Sequence, residues 1–388
     1  MNYISNQNWS FPTSIRYGPG RVKELSRICQ NKEIKKPFVV TDRGSGDLNL
    51  IKDILYNLRK DGLEPHLYTN ISPNPRDTEV LSGKLEYQNG NHDGVIAIGG
   101  GSGMDGGKAI SLIANNAYDI WDFEWEKTPR KINKENLFPP LICIPTTAGT
   151  GAETESSAMV TDTKLLMKWC IAHPQQKPFE VILDPELTLD LPKNLTAWTG
   201  VDALVHAIEA YVINDFHPLC DGSAIEALRL IYPNLPVVYK NPHDLSSRGK
   251  MLVGSCLAGI SFLKGLGFVH AISHMVGAEF DTQHGLTNAI VLPAVLQFNK
   301  NAIDHKISII SEAMGLKKND FDYFYKSICG LLDQLNIPRG LKEIGVEDTS
   351  ISRLAEKALK DSAFATNPRT ATLEEMKELI TTTLNNGR

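Results

Sequence analysis

The sequence predicts an α/β N-terminal domain on a parallel sheet, followed by an all-helical C-terminal domain. Three observations carry this. Short apolar runs alternate with helical patterns up to Pro192. Beyond it, strand-like runs become scarce and long helical patterns take over. Two of the apolar runs end in loops rich in glycine or small hydroxyl residues.

Taken in order, Lys36–Asp42 (KPFVVTD) is an apolar run closed by polar and glycine residues, which reads as a buried strand. Asn49–Arg59 has helical spacing at Leu50, Ile51, Ile54, Leu55 and Leu58. His66-Leu67-Tyr68 resumes a strand, and Val95–Ile98 and Leu141–Ile144 add two more, each closed by Gly or Pro. Strands buried on both faces with helices between them indicate a parallel sheet. Helical patterns then span Ala197–Ile213, Ser223–Tyr239, Leu245–Ser261 and Phe268–Phe280, with several more towards the C-terminus. The expected division is 1–188 for the α/β domain and 189–388 for the helical one, with a cleft between them as the default site.

Bulk properties narrow the function. A chain of 388 residues, 42% hydrophobic and 22% charged, has the composition of a soluble globular protein of two ordinary domains. A net charge of −5 with no block of like charges argues against nucleic acid or an anionic membrane as partner. Six cysteines without a C-x-x-C pair suit reduced thiols, and Met1–Gly20 lacks a basic segment followed by an apolar run. No apolar run reaches the roughly 18 residues of a membrane span. The expected location is cytoplasmic.

Gly99–Lys108 (GGGSGMDGGK) follows a strand and precedes a helix expected at Lys108–Ala114. Consecutive glycines let backbone N–H groups approach a phosphate, and a helix N-terminus adds positive potential. Residues 101–106 match G-x-G-x-x-G, but several elements precede them, so neither Asp122 nor Glu124 is cast as a ribose acid. A second loop, Pro145–Glu153 (PTTAGTGAE), follows the next strand. Two such loops at the ends of different strands suit a dinucleotide.

Asp202 and His206 lie four residues apart in a helical pattern and project from one face, where a carboxylate and an imidazole can serve one divalent metal. The plainer reading of that pair alone is a surface i,i+4 contact. His270, His274 and His284 then fall within a short apolar segment. Spacing nominates His270 and His274 as the ligand pair and leaves His284 open. The other six histidines (His66, His92, His173, His217, His243 and His305) stand among polar or turn residues and read as solvated.

These motifs resemble those of the iron-containing (group III) alcohol dehydrogenases along nearly the whole chain. The resemblance rests on Pro12 with Ile15–Gly20, Val40-Thr41-Asp42, Pro73-Asn74-Pro75, the GGGSGMDGGKA and PTTAGTGAE loops, and Leu183-Asp184-Pro185. It continues through TGVDALVHAIEAY, Gly265–Pro293 and Thr366–Arg369. It implies that Asp202, His206, His270 and His284 bind a divalent metal, Fe²⁺ first and Zn²⁺ second. It also implies that His274 relays a proton beside the nicotinamide. It places the pyrophosphate on Gly99, Gly100, Gly101 and Ser102, the adenosine half near Thr146 and Thr147, and Lys168 near the cofactor. Asp42 would meet the adenosine ribose, where a carboxylate accepts from the 2′-hydroxyl and repels a 2′-phosphate, favouring NAD(H) over NADP(H). The substrate would be a small alcohol or aldehyde and the assembly a homodimer.

Gly106-Gly107, Ala152 and Met275 depart from the family pattern. The extra glycines would loosen the phosphate loop, and Met275 would reshape the substrate pocket. The aromatics of Trp121–Trp125 are expected to pack on the surface. Two rival functions are a dehydroquinate-synthase-like lyase using the same metal and NAD, and a non-catalytic assembly module. The lyase needs several basic residues aimed at a phosphorylated substrate near the metal, and no Lys or Arg lies between His270 and Leu292. The module reading sits poorly with four retained ligands and two retained loops.

Overall fold

The computed structural model describes residues 13–125, 127 and 138–388. Pro12 and most of the N-terminal stretch considered above lie outside the described residues. The chain divides into two compact units. One comprises residues 13–147 and 152–189, and the other Ala148–Gly151 with Asp190–Arg388.

The first unit is built on a six-stranded parallel sheet of β1 (Ser14–Tyr17), β2 (Pro37–Asp42), β3 (His66–Ile71), β4 (Gly94–Gly99), β5 (Leu141–Pro145) and β8 (Glu180–Leu183). The spatial order is β1-β8-β5-β4-β2-β3. Register pairs such as Phe38 with Val95 and Ile98 with Ile144 set apolar side chains side by side. Every residue of β4 and β5 is buried, as their unbroken apolar runs require. Helices α1 (Leu25–Asn31) and α2 (Asn49–Lys60) close one face with Ile28, Ile51, Leu55 and Leu58, against Val39, Ile96, Ile98 and Ile142. Helices α3 (Asp77–Asn89) and α4 (Gly101–Ile113) also belong to this unit. From β2 the chain moves outward to β3, then returns to β4 on the other side of β2. The strand order thus reverses between β2 and β4, and an open α/β sheet binds ligands outside the carboxyl ends at such a point. A separate antiparallel hairpin, β6 (Ser157–Asp162) with β7 (Met167–Ala172), completes the unit. The sequence reading did not anticipate it.

The helix expected at Lys108–Ala114 begins instead at Gly101, so most of the glycine-rich stretch forms the helix's own first turns. Gly106 and Gly107 therefore do not loosen a loop. A Cβ at Gly107 would lie 2.5 Å from Ala97 Cβ, and one at Gly106 2.7 Å from Ile71 Cδ1. These glycines let α4 lie directly on the sheet.

The second unit is helical: α5 (Lys193–Val212), α6 (Pro218–Lys240), α7 (Leu245–Ser261), α8 (Phe268–Phe280), α9 (His284–Ala313), α10 (Phe321–Gln334), α11 (Ile351–Ala358) and α12 (Leu373–Asn385). Side-chain caps start several of them, including Asp244 accepting from Ser247 N–H and Asp320 from Tyr323 N–H. Residues 148–151 group with these helices because Gly149 and Gly151 have no side chain. A Cβ on Gly151 would meet the backbone of Ser255 and Gly259 at 2.6 Å, and one on Gly149 would meet Thr199. Among the described residues no single helix is long and apolar enough to cross a membrane.

Of the histidines read as solvated, His92 is half-buried on the Phe38 ring at 5.1 Å between centroids, and His173 is half-buried and stacks on Phe138 at 5.1 Å; His66 also stacks on Phe38, at 5.5 Å, but stays exposed. Of the Trp121–Trp125 aromatics, Phe123 is buried and edge-on to Tyr118, whereas Trp125 is exposed.

Candidate active site

In the α/β unit, the carboxyl ends of β2, β4 and β5 bring seven of the eight expected cofactor residues together. Asp42 ends β2, its carboxylate anchored by Gly44 N–H at 3.0 Å and the Ser45 hydroxyl at 2.8 Å. Gly99 ends β4 at φ 139°, a conformation that favours glycine. A Cβ there would sit 3.2 Å from Asp42 Oδ2 and 3.3 Å from Thr41 Oγ1. Thr146 N–H donates to Gly99 C=O at 2.9 Å, and Thr147 stands 3.4 Å from where a Gly100 Cβ would be. Gly100 is the N-cap of α4 and supplies no side-chain cap, so the first amides of that helix face outward for an acceptor. Ser102 hydrogen-bonds Pro73 C=O, and Lys168 on β7 reaches Asn74 Oδ1 at 3.2 Å with both side chains buried. A pyrophosphate on the α4 N-terminus and a ribose at Asp42 fit this cradle.

Beneath the same loops lies a buried set that the sequence reading missed. Lys108, fully buried, donates to Ala152 C=O at 2.7 Å, a contact any residue at 152 would supply. Burial pushes the Glu153 carboxyl up to about 7 against the opposing pull of Lys108, and its Oε1 has no partner. The folded protein thus holds a proton on Glu153 that the unfolded chain, at its ordinary 4.5, has released. Between those two values the native state binds more protons, so its stability falls as pH rises through the window. Glu153→Gln removes that loss. The gain in Tm over the parent protein is therefore expected to be larger at pH 8 than at pH 5 in paired thermal melts.

In the helical unit, Asp202 and His206 project from one face of α5, His270 from the first turn of α8, and His284 from the first residue of α9. One ligand atom from each lies within 4.8 Å of all the others. His206 and His270 stack at 4.6 Å between centroids, and His284 lies 3.8 Å from Asp202 Oδ1. Three of the four are buried, while the His284 side chain is 20% exposed, which gives the cluster an open side. His274, nominated with His270 by spacing, is not in this group. Its ring stacks on His284 at 5.5 Å, and its Nδ1 bonds Asp361 at 2.9 Å.

The cluster has the chemistry of a cation site. Burial holds the His206 and His270 pKa values below the usual histidine range, against the pull of Asp202, so both rings present lone pairs. The Asn288 amide nitrogen sits 2.7 Å from Asp202 Oδ1 and 3.1 Å from both His270 Nε2 and His284 Nε2. Two amide hydrogens face three acceptors there, while its buried Oδ1 has no partner. A divalent ion satisfies those acceptors better than an amide does, and the one-carboxylate, three-imidazole set suits Fe²⁺ or Zn²⁺.

Glu209, seven residues after Asp202 on α5, was missed by the sequence reading. Its carboxylate accepts from His270 Nδ1 at 2.7 Å, Val269 N–H at 2.9 Å and Gly267 N–H at 3.1 Å. It therefore caps α8 and fixes the His270 proton on Nδ1, leaving Nε2 for the cluster. Asn367, from the Thr366–Arg369 motif, accepts from Phe268 N–H at 3.1 Å and completes that helix start. The Asp-x₃-His-x₂-Glu run on one helical face was the available signal.

Comparison with known proteins agrees with this picture. The family described as "Iron-containing alcohol dehydrogenase" matches residues 12–185, and "Fe-containing alcohol dehydrogenase family, C-terminal" matches 196–384. The chain is 35% identical over 380 residues to the NAD-dependent methanol dehydrogenase of Bacillus methanolicus, spanning 96% of this chain and 98% of that one. It is 34% identical to the 1,3-propanediol dehydrogenase of Citrobacter freundii, spanning 94% and 95%. A solved 1,3-propanediol oxidoreductase superposes with a TM-score of 0.90 at 33% identity, covering 96% of this chain and 98% of that one. These matches run along nearly the whole chain and favour neither the lyase nor the assembly module. The chain belongs to the iron-containing alcohol dehydrogenase family, enzymes that interconvert alcohols and carbonyl compounds.

Proposed function

We propose that this protein uses a divalent metal, Fe²⁺ first, and NAD(H) in preference to NADP(H) to interconvert a small primary alcohol and its aldehyde. The observation that carries the reading is the convergence of Asp202, His206, His270 and His284 on one point. When bound, the ion supplies Lewis acidity toward the substrate oxygen, and the nicotinamide supplies the hydride. Asp202 with three neutral imidazoles holds the ion with net positive charge, and Glu209 orients His270. His284, on the exposed side, leaves room for a substrate oxygen. The α4 N-terminus, Gly99–Ser102, carries the pyrophosphate. Thr146 and Thr147 border the adenosine half, and Lys168 lies near the cofactor. His274, hydrogen-bonded but outside the ligand group, takes or returns the proton. The species named for the relatives above, methanol and 1,3-propanediol, make short alcohols and diols the first substrates to try. We further propose a homodimer in the cytoplasm; sedimentation velocity checks the assembly.

The test is turnover of NADH against a panel of aldehydes by anaerobically purified protein, stripped of metal and reloaded with Fe²⁺ or Zn²⁺. Metal-dependent oxidation of NADH is the expected result. Tight metal binding with no carbonyl reduced across the panel would remove the proposed reaction. Cofactor choice has its own test. Asp42→Asn keeps the shape and removes the charge, so the NADH/NADPH ratio of kcat/KM is expected to fall by about ten- to a hundredfold. An unchanged ratio would show that Asp42 does not set the preference.

A further inference from the structure

We propose that Arg43 is a dormant ligand for a 2′-phosphate, drawn away from the adenosine ribose by Glu79 and Asn70. The preference for NAD(H) then depends on this tether as well as on Asp42. The inference rests on the reading of Asp42 as the residue that meets the ribose.

Dinucleotide sites on open α/β sheets separate the two cofactors by opposite charges. An acid accepts from the 2′-hydroxyl, whereas an arginine takes a 2′-phosphate. This chain carries one of each in consecutive positions. Asp42 ends β2, and Arg43 follows it, its backbone N–H donating to Ile71 C=O at 2.9 Å. Asp42 takes its anchors from Gly44 N–H and the Ser45 hydroxyl, and among the described residues no ion pair with Arg43 neutralises it. The Arg43 side chain is engaged elsewhere, across the end of β3. Its Nε donates to Asn70 Oδ1 at 3.1 Å, and its Nη2 to the same oxygen at 2.5 Å and to Glu79 Oε1 at 2.9 Å.

The two partners in this ion pair differ in freedom. Glu79 lies in the first turn of α3 with its side chain 6% exposed, while that of Arg43 is 55% exposed. Glu79 Oε2 accepts from the backbone N–H groups of Ser72 and Arg76, both at 3.1 Å, and stands 2.8 Å from the Ser72 hydroxyl. That leaves Oε1 for Arg43. A fixed carboxylate thus restrains a long side chain that solvent surrounds on its other side. Ion pairs with an exposed partner hold weakly. A 2′-phosphate matches the guanidinium fork and competes for Arg43 once Asp42 no longer repels it.

Glu79→Gln is the informative substitution. The two backbone donors claim the amide oxygen, so the amide NH₂ faces Arg43 and the tether becomes a repulsion with almost no change of shape. The readout is the Kd of NADPH and of NADH, from nicotinamide fluorescence titrations of the full chain, which need no substrate. In an Asp42→Asn background, Glu79→Gln is expected to lower the NADPH Kd by about tenfold. The NADH Kd should stay within about twofold. With Asp42 in place the same substitution should move the NADPH Kd by less than about twofold, because the acid still repels the phosphate. Adding Arg43→Ala to the double variant should return the NADPH Kd to that of Asp42→Asn alone. A general loosening of the loops would instead move both cofactors together and persist without Arg43, and that result would overturn the proposal. If Asp42→Asn alone leaves the ratio of the two Kd values unchanged, the reading of Asp42 itself falls. If that ratio shifts but Glu79→Gln adds less than about threefold, only the tether falls. Should Glu79→Gln not fold, Asn70→Ala leaves the start of α3 intact and must give a gain for NADPH that Arg43→Ala abolishes.

Discussion

His270→Ala is expected to lose the metal and to slow turnover by about 10³-fold, the several kcal/mol that Lewis-acid stabilisation of a developing oxyanion contributes. The substitution removes one of four convergent ligands from the most buried position in the cluster, where the side chain is 1% exposed. It also leaves Glu209, whose carboxyl burial already pushes up to about 7, with only two backbone donors. Metal analysis after reloading and dialysis checks the first effect, and NADH oxidation the second. His274→Ala run beside it should keep its metal. The opposite pattern, metal lost in His274→Ala and kept in His270→Ala, would mean that the four-residue set is misassigned.

Gly285→Ala should disable the same cluster without touching a ligand. Gly285 follows His284 in the first turn of α9, and a Cβ there would lie 2.4 Å from Trp198 C=O and 3.0 Å from Asp202 Cβ. Those atoms belong to α5, the helix that carries Asp202 and His206. A backbone carbonyl cannot swing aside as a side-chain tip can, so the two helices must separate and take His284 away from Asp202. Overpacking of this kind costs about 1–3 kcal/mol, and displaced ligand geometry should weaken metal affinity by about ten- to a hundredfold or more. Chelator competition with Zn²⁺ and thermal melts of the metal-free protein measure the two effects. Unchanged affinity would show that α5 and α9 tolerate separation without moving the ligands.

Much of the fold was legible in the sequence because its signals are local. Unbroken apolar runs such as Val95–Ile98 have no polar face and so mark strands covered on both sides. The patterns at Leu245–Ser261 and Phe268–Phe280 coincide with α7 and α8. What escaped was structure without local contrast. The β6–β7 hairpin mixes polar and apolar residues, and β1 is a short, mostly exposed strand. The glycine run looks like loop chemistry but becomes helix, since contact with Ala97 and Ile71 outweighs the low helix propensity of glycine.

The sequence by itself determined the alternation that builds the sheet, the small-residue turns that close β4 and β5, and the one-helix pairing of Asp202 with His206. Each depends only on a period of 2 or 3.6 residues or on backbone freedom at glycine. Only the tertiary structure decided which histidines join that pair. His270 and His274 are equivalent by spacing, and the choice fell to the packing that brings the start of α9 to α5 and sets Glu209 against one ring and Asp361 against the other. Convergence of side chains from different helices depends on where backbones can approach. Here that is fixed by contacts such as Gly285 against Trp198, a non-local condition that no periodicity encodes.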